Sequence, residues 1–504
     1  MTATPSSLRP AHSAPVSLAT LLPDAPPLPI SGITLDSRAV APGDLYVALP
    51  GASTHGARFA AQAVAAGAIA VLTDAAGAAL AASVPAAVVV VDNPRAVMAR
   101  VAAEVYHRPG ERVRLFGVTG TTGKTSTTFL LASALMACGQ RVGTIGTLGF
   151  RLDDQTLASS RTTVTTPEAP DLQGLLAYLV ERGADAVAME VSSHALALSR
   201  TDELAFDVAG FTNLGRDHLD FHADQEDYFQ AKARLFRDGR SRAAVINIDD
   251  EFGRRLAAEV SAAGTTMVTT GNSDRADYRV LSAQPLASGG SGVRLQTPSG
   301  VRSFDLGLIG DFNQRNATTA AAMLELAGFD LEVALPGLAT AAVPGRMQVV
   351  NLGPEAPGAV VDFAHTPESV AAALAALPPG RRVAVLGCGG DRDQAKRGPM
   401  GAAAAAGAQV VVVTDDNPRS EDPAAIRAAV LAGARAEAAR SGATVLDGGE
   451  RAEAIAMALR LANPEDWVAV LGKGHETGQQ LADRTVPFDD VTALAQQWAV
   501  VRGE

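Results

Sequence analysis

Residues 112–139 read RVRLFGVTGTTGKTSTTFLLASALMACG, and no other stretch limits the possible folds as tightly. An apolar run leads into Gly120 and Gly123, and apolar residues then recur at Phe129, Leu130, Ala132 and Leu135 before Gly139. The pattern switches from strand to helix across one short loop. That is a buried strand feeding a helix, the building unit of parallel α/β sheets. Thr119, Gly120, Thr121, Thr122, Gly123, Lys124 and Thr125 spell TGTTGKT. The two glycines let backbone N–H groups turn toward an anion with no Cβ in the way, and the helix adds the positive end of its dipole. Lys124 can neutralise phosphate charge, and the Thr125 hydroxyl suits Mg²⁺. The spacing departs from the usual phosphate loop, because Val118 stands where that motif has its first glycine.

The same alternation runs along the chain in three segments. The first, 1–110, interleaves ITLDSR, DLYVALPG and AIAVLTD with the helix ARFAAQAVAAG. The second, 111–345, continues from the loop with strands in ADAVAMEVSS, VAGFTNL and AAVINIDD. The third, 346–504, repeats the rhythm with GAVVDFAH, RRVAVLGCGG, AQVVVVTDDNP and DWVAVLGKGHE. We expect three α/β domains: a small one, a central mostly parallel sheet with helices on both faces, and a Rossmann-like C-terminal one. Ligands of such sheets sit at the carboxyl ends of strands, where this chain places Gly, Asp and His. The Ser/Pro/Ala-rich first eight to fifteen residues are expected to be loose.

Composition excludes several functions. A formal charge of −12 argues against a nucleic-acid binder, which wants a basic footprint. Cys138 and Cys388 are the only cysteines, so no disulfide framework is implied and a reducing compartment fits. Cys388, in GCGG, reads as a buried small residue rather than a nucleophile. No uninterrupted apolar run approaches the length of a membrane span. A cytoplasmic protein that binds small anions is the expectation.

Further candidates stand at strand ends. Glu190 closes AMEVSS, where a carboxylate beside a phosphate loop can serve Mg²⁺ or simply cap a turn; the residues alone leave both open. FTNLGRDHLDFH sets Asn213, Asp217 and His218 together, more site than scaffold. Lys232, in YFQAKARLF, would pass as an ordinary helix residue. Asn313 and Asn316 open a helix, as caps do.

Taken in order, TGTTGKT, MEVSSH, FTNLGRDHLDFH with the following AK, LIGDFNQRN, VPGRM, VDFAHTP, GCGGDRDQAKR, DDNPR and GKGHE resemble the Mur ligases, and within them the MurE type. The resemblance runs from about residue 34 to 476. The phosphate loop of that family is itself TGTxGKT, which accounts for Val118. What the resemblance implies is an ATP-dependent, ADP-forming ligase of peptidoglycan precursor synthesis. It would add a diamino acid, meso-2,6-diaminopimelate above all, to the D-glutamate of UDP-N-acetylmuramoyl-L-alanyl-D-glutamate through an acyl phosphate. It implies no membrane, no nucleic acid and a monomer.

The resemblance also assigns residues. Glu190 and His218 fall on magnesium positions, and Lys232 on a lysine carrying a CO₂-derived carbamate. Asn313, Asn316, Arg346, Asp362 and His365 join TGTTGKT around ATP. Leu35, Ser37, Ala52, Ser53 and Thr54 match the uridine region; Thr165, Thr166, Ser192 and Arg200 match the muramoyl-dipeptide positions. Arg392, Asp416, Asn417, Pro418, Arg419, Gly472 and Glu476 match the site of the incoming amino acid. There Arg419 suits a distal carboxylate and Glu476 an ammonium. Val164, Leu198 and Gln348 depart from the family's usual residues. The readings to be separated from this one are a lysine- or ornithine-adding ligase, a folylpolyglutamate synthase-like ligase and a P-loop ATPase switch.

Overall fold

The computed structural model describes residues 8–11, 13–51, 53–159, 165–215, 217–218, 221–286 and 290–503. Ala52 and Val164 lie outside the described residues. The chain divides into two compact units, one of Met1–Leu281, Leu295–Arg302 and Arg315–Leu338, the other of Ser282–Arg294, Ser303–Gln314 and Ala339–Glu504.

In the first unit, Gly32–Thr34, Asp44–Val47, Ala70–Thr73 and Ala87–Val90 form a four-stranded parallel sheet in sequence order. Leu45, Val47 and Leu72 pack with Met98 and Val101 of the Pro94–Val105 helix and with Ala169, the first residue of the Ala169–Glu181 helix. The expectation of a loose N-terminus fails for Arg9. Its guanidinium Nη1 donates to both carboxylate oxygens of Asp44 at 2.8 Å, and Asp44 is almost fully buried. An unpaired carboxylate there would be costly, so the partner is recruited from the tail.

The larger sheet has eight strands in the order Gln155–Leu157, Gly149–Leu152, Val142–Gly146, Ala186–Glu190, Arg114–Thr119, Phe206–Phe211, Ser241–Asn247 and Thr266–Thr270. From Val142–Gly146 onward all pairings are parallel, and only the first two strands add antiparallel pairs. Leu115 to Thr119 are all buried, as expected of a strand covered on both faces. After Thr119 the chain crosses over to Val142–Gly146 on one side, while Phe206–Phe211 pairs on the other. The Arg114–Thr119 strand is thus the switch point where such sheets open a crevice.

The second unit holds a six-stranded sheet in the order Gln348–Val349, Gly358–Asp362, Trp467–Leu471, Arg382–Leu386, Val410–Thr414 and Thr444–Gly449, parallel apart from its first pair. Separate cores cover its two faces, one containing Val360, Ala384 and Val411, the other Val361, Val385 and Val412. The alternation is that of a sheet buried on both sides. Leu471 is in register with Asp362 and Leu386, and Leu386 with Val413. Four strands therefore end level, and the loops VDFAH, GKGHE, GCGGDRD and DDNPR emerge along one edge. A short hairpin, Gly478–Gln480 with Thr485–Pro487, follows GKGHE.

Candidate active site

The phosphate loop is shaped by its neighbours. Gly120 and Gly123 have φ of 147° and 86°, in the region that favours glycine. A Cβ at Gly120 would collide with Thr212 Oγ1, and one at Gly123 with Asn316 Oδ1. Asn213, at the end of the adjacent strand, fixes the loop: its carbonyl accepts from Thr121 N at 2.9 Å and its Oδ1 from Thr122 N at 3.0 Å. Thr212 Oγ1 donates to the Thr122 carbonyl at 2.6 Å. Lys124, first residue of the Lys124–Ala137 helix, donates Nζ to the carbonyls of Gly120 and Thr121, both at 2.9 Å. Thr125 is buried beside it.

Lys232 ends beneath the same loop. It is 1% exposed, donates Nζ to Gly120 O at 2.8 Å and lies 4.4 Å from the centre of the Tyr228 ring. Burial, and next the nearby Lys124 ammonium, push its pKa well below that of an ordinary lysine, against the pull of Asp217. Those surroundings disfavour the charged ammonium relative to an exposed lysine. Burial likewise lifts the Tyr228 phenol to about 12. His218, at φ 54°, has its ring centre 6.0 Å from that of Tyr228 and 4.9 Å from that of His194. His222, itself buried, braces this corner: it meets Ser193 Oγ through Nε2 at 3.0 Å and the exposed Asp227 through Nδ1 at 3.1 Å.

Glu190 is 1% exposed and accepts from Thr147 N at 2.8 Å and Thr147 Oγ1 at 3.2 Å. Among the described residues no three His, Cys, Asp or Glu side chains gather as a metal cluster. Thr125 and Glu190 nonetheless offer hard oxygen atoms of the kind that Mg²⁺ takes, and it shares such sites with phosphate oxygens. The set fits a cation that arrives with a nucleotide.

Thr166, Ser192 and Arg200 converge at the end of the Glu190 strand. Thr166 Oγ1 donates to Glu190 O at 2.9 Å and accepts from Ser192 N at 3.1 Å, while Arg200 Nη1 donates to Thr166 O at 2.9 Å. Ser192 also caps the Ser193–Ala197 helix, so that serine serves the scaffold as well as the cluster. Thr165 reaches the same place, 3.1 Å from Thr147 Oγ1. In the small sheet, Ser37 donates to Gln62 Oε1 at 3.2 Å beside the half-buried Leu35, and Ser53 and Thr54 are exposed on their loop.

In the second unit, Asp362 accepts from Met347 N at 2.7 Å, and burial raises its pKa against the pull of Arg346. Arg346 lies 4.5 Å over the Phe363 ring, and the Phe363 carbonyl is 2.7 Å from His365 Nδ1. Gln348 accepts through Oε1 from Gly345 N at 2.8 Å, a bond that a carboxylate would make equally well. Asn313 donates Nδ2 to Ile309 O at 2.8 Å.

Of the residues expected to meet the incoming amino acid, Asn417 and Glu476 share a network with Lys473. Asn417 Nδ2 donates to Glu476 Oε2 at 2.7 Å, and Lys473 Nζ donates to the same oxygen at 3.0 Å and to Asn417 Oδ1 at 3.1 Å. Burial pushes Glu476 up, but Lys473 and Asn417 together hold it below the usual carboxylate range. Arg419 donates Nη1 to Gly390 O at 2.7 Å and Nε to Gln480 Oε1 at 2.8 Å. Asp416 is buried and its pKa is raised by that burial; a Cβ at Gly472 would sit 2.7 Å from its Oδ2. Pro418 is buried and Arg392 is exposed. Cys388 is 3% exposed against Met400, its thiol pushed up to about 11 by burial, so it is the packing residue expected.

Three family profiles match in order: the Mur ligase family catalytic domain at 29–106, the Mur ligase middle domain at 118–324 and the Mur ligase glutamate ligase domain at 345–474. A protein of Streptomyces coelicolor named UDP-N-acetylmuramoyl-L-alanyl-D-glutamate–2,6-diaminopimelate ligase is 48% identical, over 93% of this chain and 92% of its own. The chain belongs to the Mur ligase family. A solved structure of a ligase of the same name is 32% identical with a TM-score of 0.71, covering 97% of this chain and 99% of that one. The MurF ligase of Thermotoga maritima, solved in complex with ADP, shares the fold at a TM-score of 0.63 and 18% identity, covering 93% and 97%.

Several residues of this Mur ligase that organise the site escaped the sequence reading. Thr147 holds Glu190, Glu168 accepts from both Arg95 and Arg200, and His222 braces the His218 corner. Lys473 and Gln480 organise the GKGHE and DDNPR loops. GKGHE carried Lys473 in plain view, but a lysine beside glycines gives no sign of total burial.

Proposed function

We propose that this Mur ligase uses ATP to join meso-2,6-diaminopimelate to the D-glutamate of UDP-N-acetylmuramoyl-L-alanyl-D-glutamate in the cytoplasm, as a monomer. The observation that supports this reading is that one chain carries two ready-made clusters. One is a glycine loop with two lysines converging on it; the other is a cluster offering Arg419 and Glu476 at level strand ends. No helix among the described residues is long and apolar enough to cross a membrane.

The γ-phosphoryl group of ATP passes to the γ-carboxylate of D-glutamate, giving ADP and an acyl phosphate. The amine of the diamino acid then attacks that carbonyl, loses a proton, and the tetrahedral intermediate expels phosphate. The loop N–H groups and Lys124 hold the phosphates, Lys124 trading its two loop carbonyls for phosphate oxygens. Thr119, Thr121, Thr122 and Thr125 shape that cradle, with Asn313, Asn316, Arg346, Asp362 and His365 completing the nucleotide site. Thr125, Glu190, His218 and the carbamate of Lys232 would hold Mg²⁺, which neutralises phosphate charge when bound. The neutral amine of Lys232 is the form that adds CO₂, releasing a proton. Thr165, Thr166, Ser192 and Arg200 position the dipeptide, and Leu35, Ser37, Ala52, Ser53 and Thr54 the uridine end. Arg419 pairs with the distal carboxylate of the acceptor and Glu476 with its ammonium, while Arg392, Asp416, Asn417, Pro418 and Gly472 shape the pocket.

Phosphate release, measured with UDP-substrate and diamino acid supplied together or omitted singly, tests this. Release that requires both supports ligation. ATP hydrolysis independent of either would show a switch ATPase instead.

A further inference from the structure

The hairpin strand Gly478–Gln480 makes a series of contacts with the DDNPR loop and with Lys473 of GKGHE. Lys473 Nζ donates to Gly478 O at 2.6 Å, Gln479 Nε2 to Asp416 O at 2.6 Å, and Gln480 N to Asn417 Oδ1 at 2.9 Å. Arg419 N donates to Gln480 O at 3.0 Å, and Arg419 Nε to Gln480 Oε1 at 2.8 Å. Arg419 has φ of 51°, a conformation a side-chain-bearing residue keeps only when its surroundings hold it there. Gln480 supplies two of those restraints, one on the backbone and one on the guanidinium.

The side-chain contact also decides which face of the guanidinium is offered. With Nε taken by Gln480 and Nη1 bonded to Gly390 O, Nη2 has no partner among the described residues. A carboxylate can then approach only from the Nη end, in one orientation. Glu476 is treated the same way: Lys473 and Asn417 both occupy Oε2, and Oε1 has no partner among the described residues. The network fills one side of each charged group and points the other outward.

We propose that Gln480 is a positioning residue for acceptor selection, acting through Arg419 by fixing the orientation of its guanidinium. The inference rests on the proposed role of Arg419 toward the acceptor carboxylate. Gln480 is exposed, so its replacement leaves the core intact.

The test is steady-state kinetics of Q480A, R419A and the double variant, with meso-diaminopimelate and with lysine. Q480A should raise KM for diaminopimelate about tenfold, the scale of one hydrogen bond to a charged group. Its kcat, and its KM for ATP and for the UDP-substrate, should stay within about twofold, with discrimination against lysine falling in step with KM. In the R419A background the same replacement should change nothing, since its target is gone. A loss in R419A with wild-type kinetics in Q480A overturns the role of Gln480 alone. An equal Gln480 effect with Arg419 absent also overturns it. Unchanged kinetics in R419A overturn both the inference and the reading beneath it.

Discussion

Lys232 shows what one residue's surroundings do to its chemistry. Burial beneath a phosphate loop lowers the pKa of Lys232 well below that of an ordinary lysine, and the proposed carbamate would turn that buried amine into an anionic oxygen donor. Lys232→Ala should therefore lose at least about a hundredfold in kcat, with partial recovery in millimolar acetate or formate, as expected when an essential charged group is deleted. Full activity without added carboxylate would refute the carbamate. His475 titrates in a range that stability measurements reach. Burial, and next Arg346, lower its pKa to about 4 from 6.5. The unfolded chain then binds the proton more readily between those values. Stability is fully present above pH 6.5 and declines as pH falls toward 4, by up to roughly 3 kcal/mol. His475→Gln should flatten the denaturation midpoint across about pH 7 to 4.5 relative to the parent; parallel curves would exclude this histidine.

At the scale of elements, the helices Arg451–Leu461 and Asp490–Arg502 are joined by a fully buried bidentate pair, Arg451 to Asp490, at 2.7 Å for each bond. Arg451 also donates to Leu471 O at 3.0 Å, immediately before GKGHE. Arg451→Ala leaves a buried carboxylate unpaired and should cost about 3–5 kcal/mol in chemical denaturation. Replacing both partners with apolar residues should cost markedly less than the sum of the single changes; additive losses would contradict the pairing argument. The strands, the phosphate loop and the strand-end motifs were legible in the sequence because each is local: an apolar run, a glycine, a period. The three strands at Arg279–Pro285, Ser291–Thr297 and Gly300–Leu306 were not read, being mixed in polarity and lacking a run of apolar residues. Thr147, His222, Lys473, Gln480 and the anchor of Arg9 on Asp44 were missed for a different reason. Their roles arise from partners distant in sequence or from burial, which no local spacing reports. Lys232 was named only through the family resemblance, because its burial leaves no mark in the local helix pattern.

For the molecule as a whole, two compact units carry separate cores. Thermal unfolding should depart from two-state behaviour, with a calorimetric enthalpy exceeding the van't Hoff value. Equality of the two would mean that the units unfold as one. The central claim concerns the acceptor, and it is tested most directly by offering the intact chain, with ATP and UDP-N-acetylmuramoyl-L-alanyl-D-glutamate, a panel of meso-diaminopimelate, lysine and ornithine. Product identified by mass should be the diaminopimelate tripeptide, with kcat/KM at least about a hundredfold above the other two, because they leave Arg419 without its carboxylate. Equal use of lysine, or no tripeptide from diaminopimelate, would contradict the account.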